Sequence, residues 1–414
     1  MEKVHVGIIG LGQRGSGLTG TILAIDEARI VAVSDIYEDR RNAEVKRIEE
    51  KYGEKPCAYE NYRDLLNDKN VQAVLITAGW EEHIRIAIEA MRAGKITAME
   101  VGGAYSVEEC WELVKTYEET HTPIMMMENC CYDRFELLGT ALARAGKLGE
   151  IVHCHGAYAH DLRDEISGGR VNRHYRLNNY LHRNCENYPT HELGPIAKIL
   201  GINRGNRMLS LVSVASKAAG LAAFVKSDKN PDKTLENRTF NQGDIVTTVI
   251  KCANGETVSL KLDTTLPRYY SREFTLHGTK GLCVQESDMV FLEEKCNPHE
   301  FFETSDTIRK YLGNAKEYES EYLPDIWKNI TQKDRELGHG GMDYLMFRDF
   351  FRRITEGREL PIDVYDAAAW MCVSALSEQS IALGGMPVAV PDFTNGQWVK
   401  RPLLDVVDFS YLNK

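Results

Sequence analysis

The chain has 414 residues, a formal net charge of −11 and 43% hydrophobic residues, which is enough apolar material for two folded domains. Such an acidic chain lacks the basic surface that nucleic acids and anionic membranes attract, and no apolar run reaches the roughly 18 residues that cross a bilayer. We therefore expect neither a nucleic acid nor a membrane among its partners.

The first 129 residues alternate predicted strands and helices. Predicted strands occupy residues 4–9, 29–35, 71–77, 96–100 and 122–127. Predicted helices follow the first glycine-rich turn and occupy residues 40–52 and 82–92, and Ser106-Val107-Glu108-Glu109 is a capping-box sequence that opens another helix. Alternation of this kind predicts a parallel sheet with helices on both faces, so that residues 1–129 form an α/β Rossmann domain.

The pattern changes after Asn129. Two alternating strands, 245–253 and 256–263, flank Asn254-Gly255, which predicts a hairpin with a type I′ turn. Residues 273–278, 281–286 and 289–293 continue a meander, and helices are predicted at 342–355 and 364–383. Residues 130–414 are therefore expected to form an α+β domain with an open, mostly antiparallel sheet.

The cysteines and histidines give little sign of a metal. The ten cysteines lack paired metal-type spacing, and no signal peptide precedes the first strand, so we expect reduced thiols, a cytoplasmic location and no bound metal. His153 and His155 would share one face of a strand as a candidate metal pair, but no third ligand is evident.

Gly10-Leu11-Gly12-Gln13-Arg14-Gly15 follows the first predicted strand and opens a helix. Glycines in this context allow a tight turn and a close approach of the backbone to a pyrophosphate at the helix N-terminus. Asp35 ends the second strand, where a carboxylate would bind ribose hydroxyls and repel a 2′-phosphate. The sequence thus predicts NAD as the cofactor; Arg40 and Arg41 keep NADP open as an alternative.

Other cofactor contacts should follow the later parallel strands, because ligands bind at their carboxyl ends. These ends carry Thr77-Ala78-Gly79-Trp80, Glu100-Val101 and Glu128-Asn129. His83 lies one turn further on and either faces the cofactor or is a solvated histidine at a helix start.

The order of the two domains, with the turn His277-Gly278-Thr279-Lys280-Gly281, resembles the Gfo/Idh/MocA oxidoreductase family. Sugar dehydrogenases of that family carry Glu-Lys-Pro where this chain has Glu100-Val101-Gly102, and an aspartate–histidine pair where it has Asn187 and His191. The usual proton-transfer lysine is therefore missing, which favours a different chemistry.

Further motifs resemble glycoside hydrolase family 109, which includes NAD-dependent α-N-acetylgalactosaminidases. They are Glu128-Asn129-Cys130-Cys131-Tyr132, His160-Asp161-Leu162-Arg163, Tyr188-Pro189-Thr190-His191-Glu192-Leu193-Gly194-Pro195, Pro267-Arg268-Tyr269-Tyr270-Ser271-Arg272 and Gly338-His339-Gly340-Gly341-Met342-Asp343. The resemblance implies NAD contacts from Gln13, Arg14, Asp35, Trp80, His83, Glu100, Val101 and Asn129. It implies sugar contacts from Tyr158, Arg176, Tyr188, His191 and Tyr270. Where the family more often has proline, this chain has Tyr269, which leaves the exact sugar open.

The family's mechanism explains why a hydrolase would keep a nicotinamide. The sugar is oxidised at C3, its C2 proton is removed, the aglycone is eliminated, water adds, and the ketone is reduced again, so that the bound NAD is recycled. We expect His191 and Tyr270 to carry protons, Tyr188 to assist and Arg176 to bind the sugar. His339 lies either on a mobile lid that meets the substrate or in a helix cap.

Two alternatives remain open. An ordinary NAD-dependent sugar or polyol dehydrogenase would produce NADH from a free sugar, and a non-catalytic NAD-binding module would not depend on His191 or Tyr270. In each case a small carbohydrate or glycoconjugate is the expected partner, and a homo-oligomer built on the second-domain sheet is an open alternative to a monomer.

Overall fold

The computed structural model describes residues 3–295, 297, 299 and 304–413. The chain forms two units, one of Met1–Tyr132 with Ile330–Cys372 and the other of Asp133–Asn329 with Val373–Lys414. The domain boundary after residue 129 stays a prediction.

Fourteen strands occur in the described residues. They are β1 Val4–Ile9, β2 Ala28–Ser34, β3 Cys57–Tyr59, β4 Ala73–Ile76, β5 Ile96–Met99, β6 Ile124–Met126, β7 Ile151–Ala159, β8 Met208–Ala215, β9 Ile245–Cys252, β10 Thr257–Asp263, β11 Thr275–Gly278, β12 Gly281–Val284, β13 Met289–Leu292 and β14 Val388–Ala389.

Sixteen α-helices occur in the same residues. They are α1 Gln13–Ile22, α2 Glu38–Tyr52, α3 Tyr62–Asn67, α4 Trp80–Arg92, α5 Val107–Thr120, α6 Arg134–Arg144, α7 Arg163–Ser167, α8 Arg176–His182, α9 Thr190–Ile199, α10 Gly220–Phe224, α11 Ser305–Tyr311, α12 Lys316–Tyr322, α13 Asp325–Lys328, α14 Gln332–Arg335, α15 Met342–Glu356 and α16 Val364–Ala382.

The first unit contains a six-stranded parallel sheet in the order β3-β2-β1-β4-β5-β6. This is the strand order of a dinucleotide-binding Rossmann sheet, and it confirms the predicted fold class of the N-terminal part. The predicted capping box at Ser106 is also confirmed, since its side chain accepts from the backbone N–H of Glu109 while the Glu109 carboxylate binds the backbone of Ser106.

The second unit contains an eight-stranded sheet in the order β13-β12-β11-β7-β10-β9-β8-β14. Only β7 and β10 pair in parallel, so the predicted mostly antiparallel sheet is confirmed. Along β9 buried residues alternate with exposed ones, which leaves one face of the sheet open.

The predicted β9–β10 hairpin is confirmed, but its type I′ turn is wrong. A type I′ turn needs positive φ at both central residues, and of the pair Asn254-Gly255 only Gly255 has positive φ, at 108°. The N–H of Gly255 instead donates to the carbonyl of Cys252 (3.2 Å), so the turn is centred on Ala253 and Asn254 and Gly255 follows it. Asn254 also donates from its backbone to Asn206 Oδ1 (3.2 Å) and from its amide group to the carbonyl of Gly205 (3.1 Å).

No helix in the described part of the chain is both long enough and apolar enough to span a bilayer.

Candidate active site

The glycine turn after β1 is packed tightly on its protein side. Gly10 has a φ of 94°, and a Cβ there would lie 2.6 Å from the backbone nitrogen of Ala78. A Cβ at Gly15 would lie 2.0 Å from the carbonyl oxygen of Gly10, whereas the nearest atom to a Cβ at Gly12 is Arg40 Nη1 at 3.5 Å. Protein atoms therefore fill the space beside Gly10 and Gly15, whereas the space beside Gly12 could admit a ligand. Gly12 lies next to the N-terminus of α1, where Gln13 is exposed.

Asp35 lies directly after β2 and is held by backbone donors. Its Oδ2 accepts from the N–H of Leu11 at 2.7 Å, and its Oδ1 accepts from the N–H of Tyr37 at 2.9 Å. Each carboxylate oxygen can accept a further hydrogen bond, so that ribose hydroxyls can still be bound. Arg40 Nη1 lies 3.8 Å from Oδ2 and partly balances the charge of Asp35.

The residues after β4 support the turn and line the same sheet edge. The Thr77 hydroxyl donates to the carbonyl of Gly10 at 2.5 Å, so it fixes the glycine turn. Trp80 is 4% exposed and begins α4. His83 is buried, with Nε2 3.0 Å from the carbonyl oxygen of Ala78, which rules out the solvated histidine considered from the sequence.

Burial lowers the pKa of His83 to about 4, so the imidazole is neutral. Its Nδ1 is buried and has no hydrogen-bond partner within the part of the chain that is described. A buried imidazole nitrogen without a partner is costly, and a bound ligand would satisfy it.

Arg14, from the first turn of α1, lies between two carboxylates. It donates to Glu100 Oε1 from Nη2 (2.9 Å) and Nε (3.2 Å), and to the two oxygens of Asp343 at 2.8 and 2.9 Å. Asn129 also donates to Asp343, at 2.8 Å, and His339 Nδ1 lies 2.8 Å from it. Burial alone would raise the pKa of Asp343, but Arg14 and these hydrogen bonds hold it below its usual range.

Asp343 therefore holds Arg14 and Asn129, which are predicted to bind the cofactor, together with His339, which was considered for a mobile lid. Its own role was missed, although it closes the Gly338–Asp343 motif, because the pairing with Arg14 crosses more than three hundred residues. His339 lies in a turn in which four successive residues, 338–341, have positive φ, just before α15. A contact between His339 and the substrate stays a prediction.

Val101 and Gly102 follow β5, where related dehydrogenases have lysine and proline. The backbone N–H of Val101 donates to Glu100 Oε2 at 3.3 Å. A Cβ at Gly102 would lie 2.8 Å from Cδ1 of Trp80. The indole thus occupies the space of a side chain at position 102, which explains the glycine there.

Replacing Gly102 by alanine is expected to displace Trp80 and to lower the free energy of unfolding by about 1–3 kcal/mol, the usual cost of overpacking. NAD affinity should fall in the same variant, because Trp80 is one of the residues predicted to contact the cofactor. Thermal unfolding and calorimetric titration with NAD measure both effects. Gly17→Ala is the matched control, since a Cβ at Gly17 meets nothing within 4 Å; equal behaviour of the two variants would contradict the prediction.

In the second unit, the predicted sugar-binding residues converge. Tyr158 lies near the end of β7, and its ring centre is 4.5 Å from that of Tyr188, 5.6 Å from that of His191 and 6.4 Å from that of Tyr270. Tyr188 Oη is 3.4 Å from His191 Nε2. Tyr158, Tyr188 and His191 are buried, whereas Tyr270 is 44% exposed. We call these four residues the aromatic cluster.

Arg176 and His160 border the aromatic cluster. The guanidinium of Arg176 lies over the Tyr188 ring at 5.1 Å, and its Nε is 2.7 Å from Glu165. Burial opposes the charge of Arg176, but the neighbouring Tyr158, Tyr175 and Glu165 raise its pKa, so it stays cationic. His160, to which the sequence assigned no role, has its ring centre 5.1 Å from that of Tyr270.

Arg272 is a second buried cation at the cluster and was also missed. It donates to Glu136 Oε1 at 2.7 Å and to Tyr270 Oη at 3.2 Å, and its Nη2 is 3.1 Å from Asp133. Its only sequence signal was its place in the motif around Tyr270. Asn187, which replaces the dehydrogenase aspartate, is buried and donates to Gln242 Oε1 at 3.2 Å.

Glu186 and Glu192 form a buried carboxyl pair beside Tyr188 and His191. Both are essentially inaccessible to solvent, and Glu192 Oε2 accepts from the backbone N–H of Lys261 at 3.1 Å. Burial raises the pKa of Glu186 to about 8, while burial and the neighbouring Glu186 raise that of Glu192. At neutral pH the pair therefore retains protons that the unfolded chain releases.

Because these pKa values are raised in the folded state, the free energy of unfolding should fall as the pH rises from about 4.5 to about 8. Each retained proton contributes a slope of about 1.4 kcal/mol per pH unit. Glu192→Gln removes one of the two groups whose pKa is raised and is expected to flatten this decline in urea unfolding, whereas the exposed Glu293→Gln should leave it unchanged. Equal slopes for Glu192→Gln and the native chain would contradict the assignment.

The Rossmann sheet, its open glycine turn and the unsatisfied His83 nitrogen fit a dinucleotide and place the chain in the class of dinucleotide-binding proteins. A family model described as "Oxidoreductase family, NAD-binding Rossmann fold" matches residues 4–128, which confirms NAD as the cofactor. A second, "Glycosyl hydrolase 109, C-terminal domain", matches residues 132–400. The chain belongs to glycosyl hydrolase family 109, and it is an enzyme.

Relatives extend along almost the whole chain. An α-N-acetylgalactosaminidase of Tannerella forsythia is 38% identical over 96% of this chain and 88% of its own length. The α-N-acetylgalactosaminidase of Shewanella oneidensis is 35% identical over 98% of this chain and 88% of its own length. Among solved structures, a levoglucosan dehydrogenase in complex with NADH and levoglucosan is 21% identical, with a TM-score of 0.69 over 94% of this chain and 100% of its own, a likeness of fold.

Proposed function

We propose that the chain is an NAD-dependent α-N-acetylgalactosaminidase that acts by transient oxidation of the sugar at C3. The two relatives named above carry this activity in their names. The observation that supports the mechanism is the aromatic cluster, in which phenols and an imidazole lie beside two buried arginines, Arg176 and Arg272.

Ordinary glycosidases hold two carboxyl groups on opposite sides of the scissile bond. Here the carboxylates that reach the arginines of the cluster are already paired, Glu165 with Arg176 and Glu136 with Arg272, both at 2.7 Å. Held against arginines in this way, these groups are poorly placed to attack a sugar. Elimination next to a ketone needs only proton carriers, which the cluster provides.

When bound, NAD supplies the acceptor for the C3 hydride and returns that hydride at the end of the turnover. The protein residues then have three tasks: to take the C3 hydroxyl proton, to take the C2 proton and to protonate the leaving oxygen. We assign the proton transfers to His191 and Tyr270, with Tyr188 within 3.4 Å of His191 to pass a proton. Arg272 donates to Tyr270 Oη and so stabilises the anionic form of that phenol.

Arg176 is assigned to substrate binding. It stays cationic and its guanidinium lies over the Tyr188 ring, so it is suited to bind the hydroxyl or acetamido oxygens of a sugar at the aromatic cluster. Gly12, Gln13, Arg14, Asp35, Trp80, His83, Glu100, Val101 and Asn129 are assigned to the cofactor.

The test is hydrolysis of 4-nitrophenyl α-N-acetylgalactosaminide with and without added NAD, while nitrophenol and NADH are both recorded. We expect nitrophenol release without accumulation of NADH, and incorporation of solvent deuterium at C2 of the product. Stoichiometric NADH from free sugar would establish the dehydrogenase alternative instead. Hydrolysis without deuterium at C2 would refute the elimination step.

We also propose a cytoplasmic location. None of the nine cysteines that the structure describes is joined in a disulfide, and eight of them are buried. Free thiols are typical of a reducing compartment.

A further inference from the structure

The segment that carries Tyr270 and Arg272 has little regular structure of its own. Residues 264–274, all of which the structure describes, connect β10 to β11 without a helix or a strand. Ser271 joins the segment to β7 by exchanging two backbone hydrogen bonds with Ala159, at 2.8 and 3.1 Å. Tyr270 is 44% exposed, so packing holds it less firmly than it holds the buried members of the aromatic cluster. Contacts on either side of Tyr270 must therefore help to fix its position.

Arg268 joins the two sides of Tyr270. Its Nη1 donates to Asp263 Oδ2 at 2.6 Å, at the end of β10, and its Nε donates to the carbonyl of Tyr269 at 2.8 Å. Its Nη2 lies 3.3 Å from Glu273 Oε1. Because the guanidinium is planar and rigid, these bonds fix the residues before and after Tyr270 relative to one another.

Glu273 is held by two further groups of the sheet. Lys261 Nζ donates to its Oε1 at 2.6 Å, and His155 Nε2 lies 3.1 Å from its Oε2. The ring of His155 is itself anchored, since its Nδ1 lies 2.7 Å from Ser259 Oγ. Burial alone would raise the pKa of Glu273, but the hydrogen bonds with His155 and Lys261 lower it to about 2, so Glu273 is a carboxylate at neutral pH.

The backbone of Glu273 has a conformation that its contacts must maintain. Its φ is 48°, in the left-handed region that residues other than glycine adopt rarely and at a cost. Arg272 directly precedes it, and the Arg272 guanidinium donates to Glu136 Oε1 at 2.7 Å and to Tyr270 Oη at 3.2 Å. Fixing Glu273 on the sheet therefore also fixes the chain next to the cation that binds the Tyr270 phenol.

We propose that Glu273 and Arg268 are positioning residues that hold Tyr270 in the aromatic cluster. They lie on either side of Tyr270 in the sequence, contact each other, and are anchored to β10 by Lys261 and Asp263. The kinetic part of the proposal rests on the proposed function, which makes Tyr270 a proton carrier, whereas the structural part does not.

The first test is hydrogen–deuterium exchange of the full chain, read by mass spectrometry of peptides that cover residues 264–274. Glu273→Gln keeps the size of the side chain and removes its charge, so we expect these amides to exchange about 3- to 10-fold faster. Peptides of the Rossmann sheet should keep the native rate, which shows that the variant is folded. Arg268→Gln breaks the same pair from the other side and should accelerate exchange in the same peptides.

Glu286→Gln is the matched control for this measurement. Glu286 is exposed and accepts from Tyr269 Oη at 3.0 Å, so it also contacts the segment, but only through an exposed side chain. We expect native exchange and native kcat in this variant.

The second test is hydrolysis of the aryl glycoside by Glu273→Gln and Tyr270→Phe, singly and combined. We expect Glu273→Gln to lower kcat by about 10- to 100-fold, the usual cost of a misplaced reacting group. In the Tyr270→Phe background the same change should have almost no further effect on kcat, because residues that act through one another are not additive. A merely structural loss would lower kcat by the same factor in both backgrounds.

The proposal is overturned if residues 264–274 exchange at the native rate in both Glu273→Gln and Arg268→Gln. It is equally overturned if Glu273→Gln lowers kcat by the same factor with and without the Tyr270 hydroxyl. A native chain that does not hydrolyse the glycoside would refute the proposed function instead, and the exchange rates would still decide whether Glu273 and Arg268 hold the segment.

Discussion

Replacing His191 by alanine is expected to lower kcat for hydrolysis of the aryl glycoside by about 10²- to 10⁴-fold, the usual contribution of a general acid or base. The expectation rests on the place of His191 in the aromatic cluster, 92% shielded from solvent and 3.4 Å from Tyr188 Oη. Steady-state kinetics measure the loss, and the C2 deuterium exchange should fall together with kcat if His191 is the group that removes the C2 proton.

Two controls separate this chemical role from a structural one. NAD affinity should be unchanged in His191→Ala, since the cofactor residues belong to the other unit. Tyr269→Phe removes a phenol next to Tyr270 that is 71% exposed, and it should leave kcat within about twofold. A His191→Ala variant with nearly native kcat would refute the assignment.

Replacing Asp343 by asparagine is expected to give the second large effect, a loss of NAD affinity by about 100-fold or more. The carboxylate accepts from Arg14, Asn129 and His339, and breaking a buried charge pair costs about 3–5 kcal/mol. Asparagine offers one acceptor in place of two, and its own donors would face those of Arg14. Calorimetric titration of the NAD-free protein measures the affinity.

Asp349→Asn is the matched control on the same helix. Asp349 accepts from Tyr132 Oη and Arg353, both at 2.8 Å, so its loss should lower stability without a specific effect on NAD. The assignment of Asp343 as a positioning residue would be contradicted if both variants lowered the melting temperature equally and bound NAD with native affinity.

The Rossmann sheet could be predicted because its signals are local. Strand β4 is a continuous apolar run, β1 is largely apolar and buried, and each is followed by residues that end it. Strand β3 was missed because Cys57–Tyr59 is three residues long and mostly exposed, so no apolar pattern marks it. The hairpin turn was misassigned because it is centred on Ala253 and Asn254, one residue before the Asn254-Gly255 pair, with the N–H of Gly255 bonded to the carbonyl of Cys252.

The residues of the candidate site also differ in how far local sequence could predict them. The glycine turn and Asp35 follow from the spacing of one strand–turn–helix segment. Residue types alone could not have shown that Tyr158, Tyr188 and Tyr270 meet, and only the resemblance to a family grouped them. Arg272 and Asp343 act through partners distant in sequence, which no local pattern reveals.

Because the first unit is completed by Ile330–Cys372, its assembly has a consequence for synthesis on the ribosome. Arg14 emerges early, but the carboxylate of Asp343 is translated more than three hundred residues later. At about 5–20 residues per second, this interval lasts some tens of seconds. During this interval the nascent nucleotide-binding unit lacks Asp343 and stays incomplete. We therefore expect a chain on a ribosome stalled before codon 343 to bind NAD poorly.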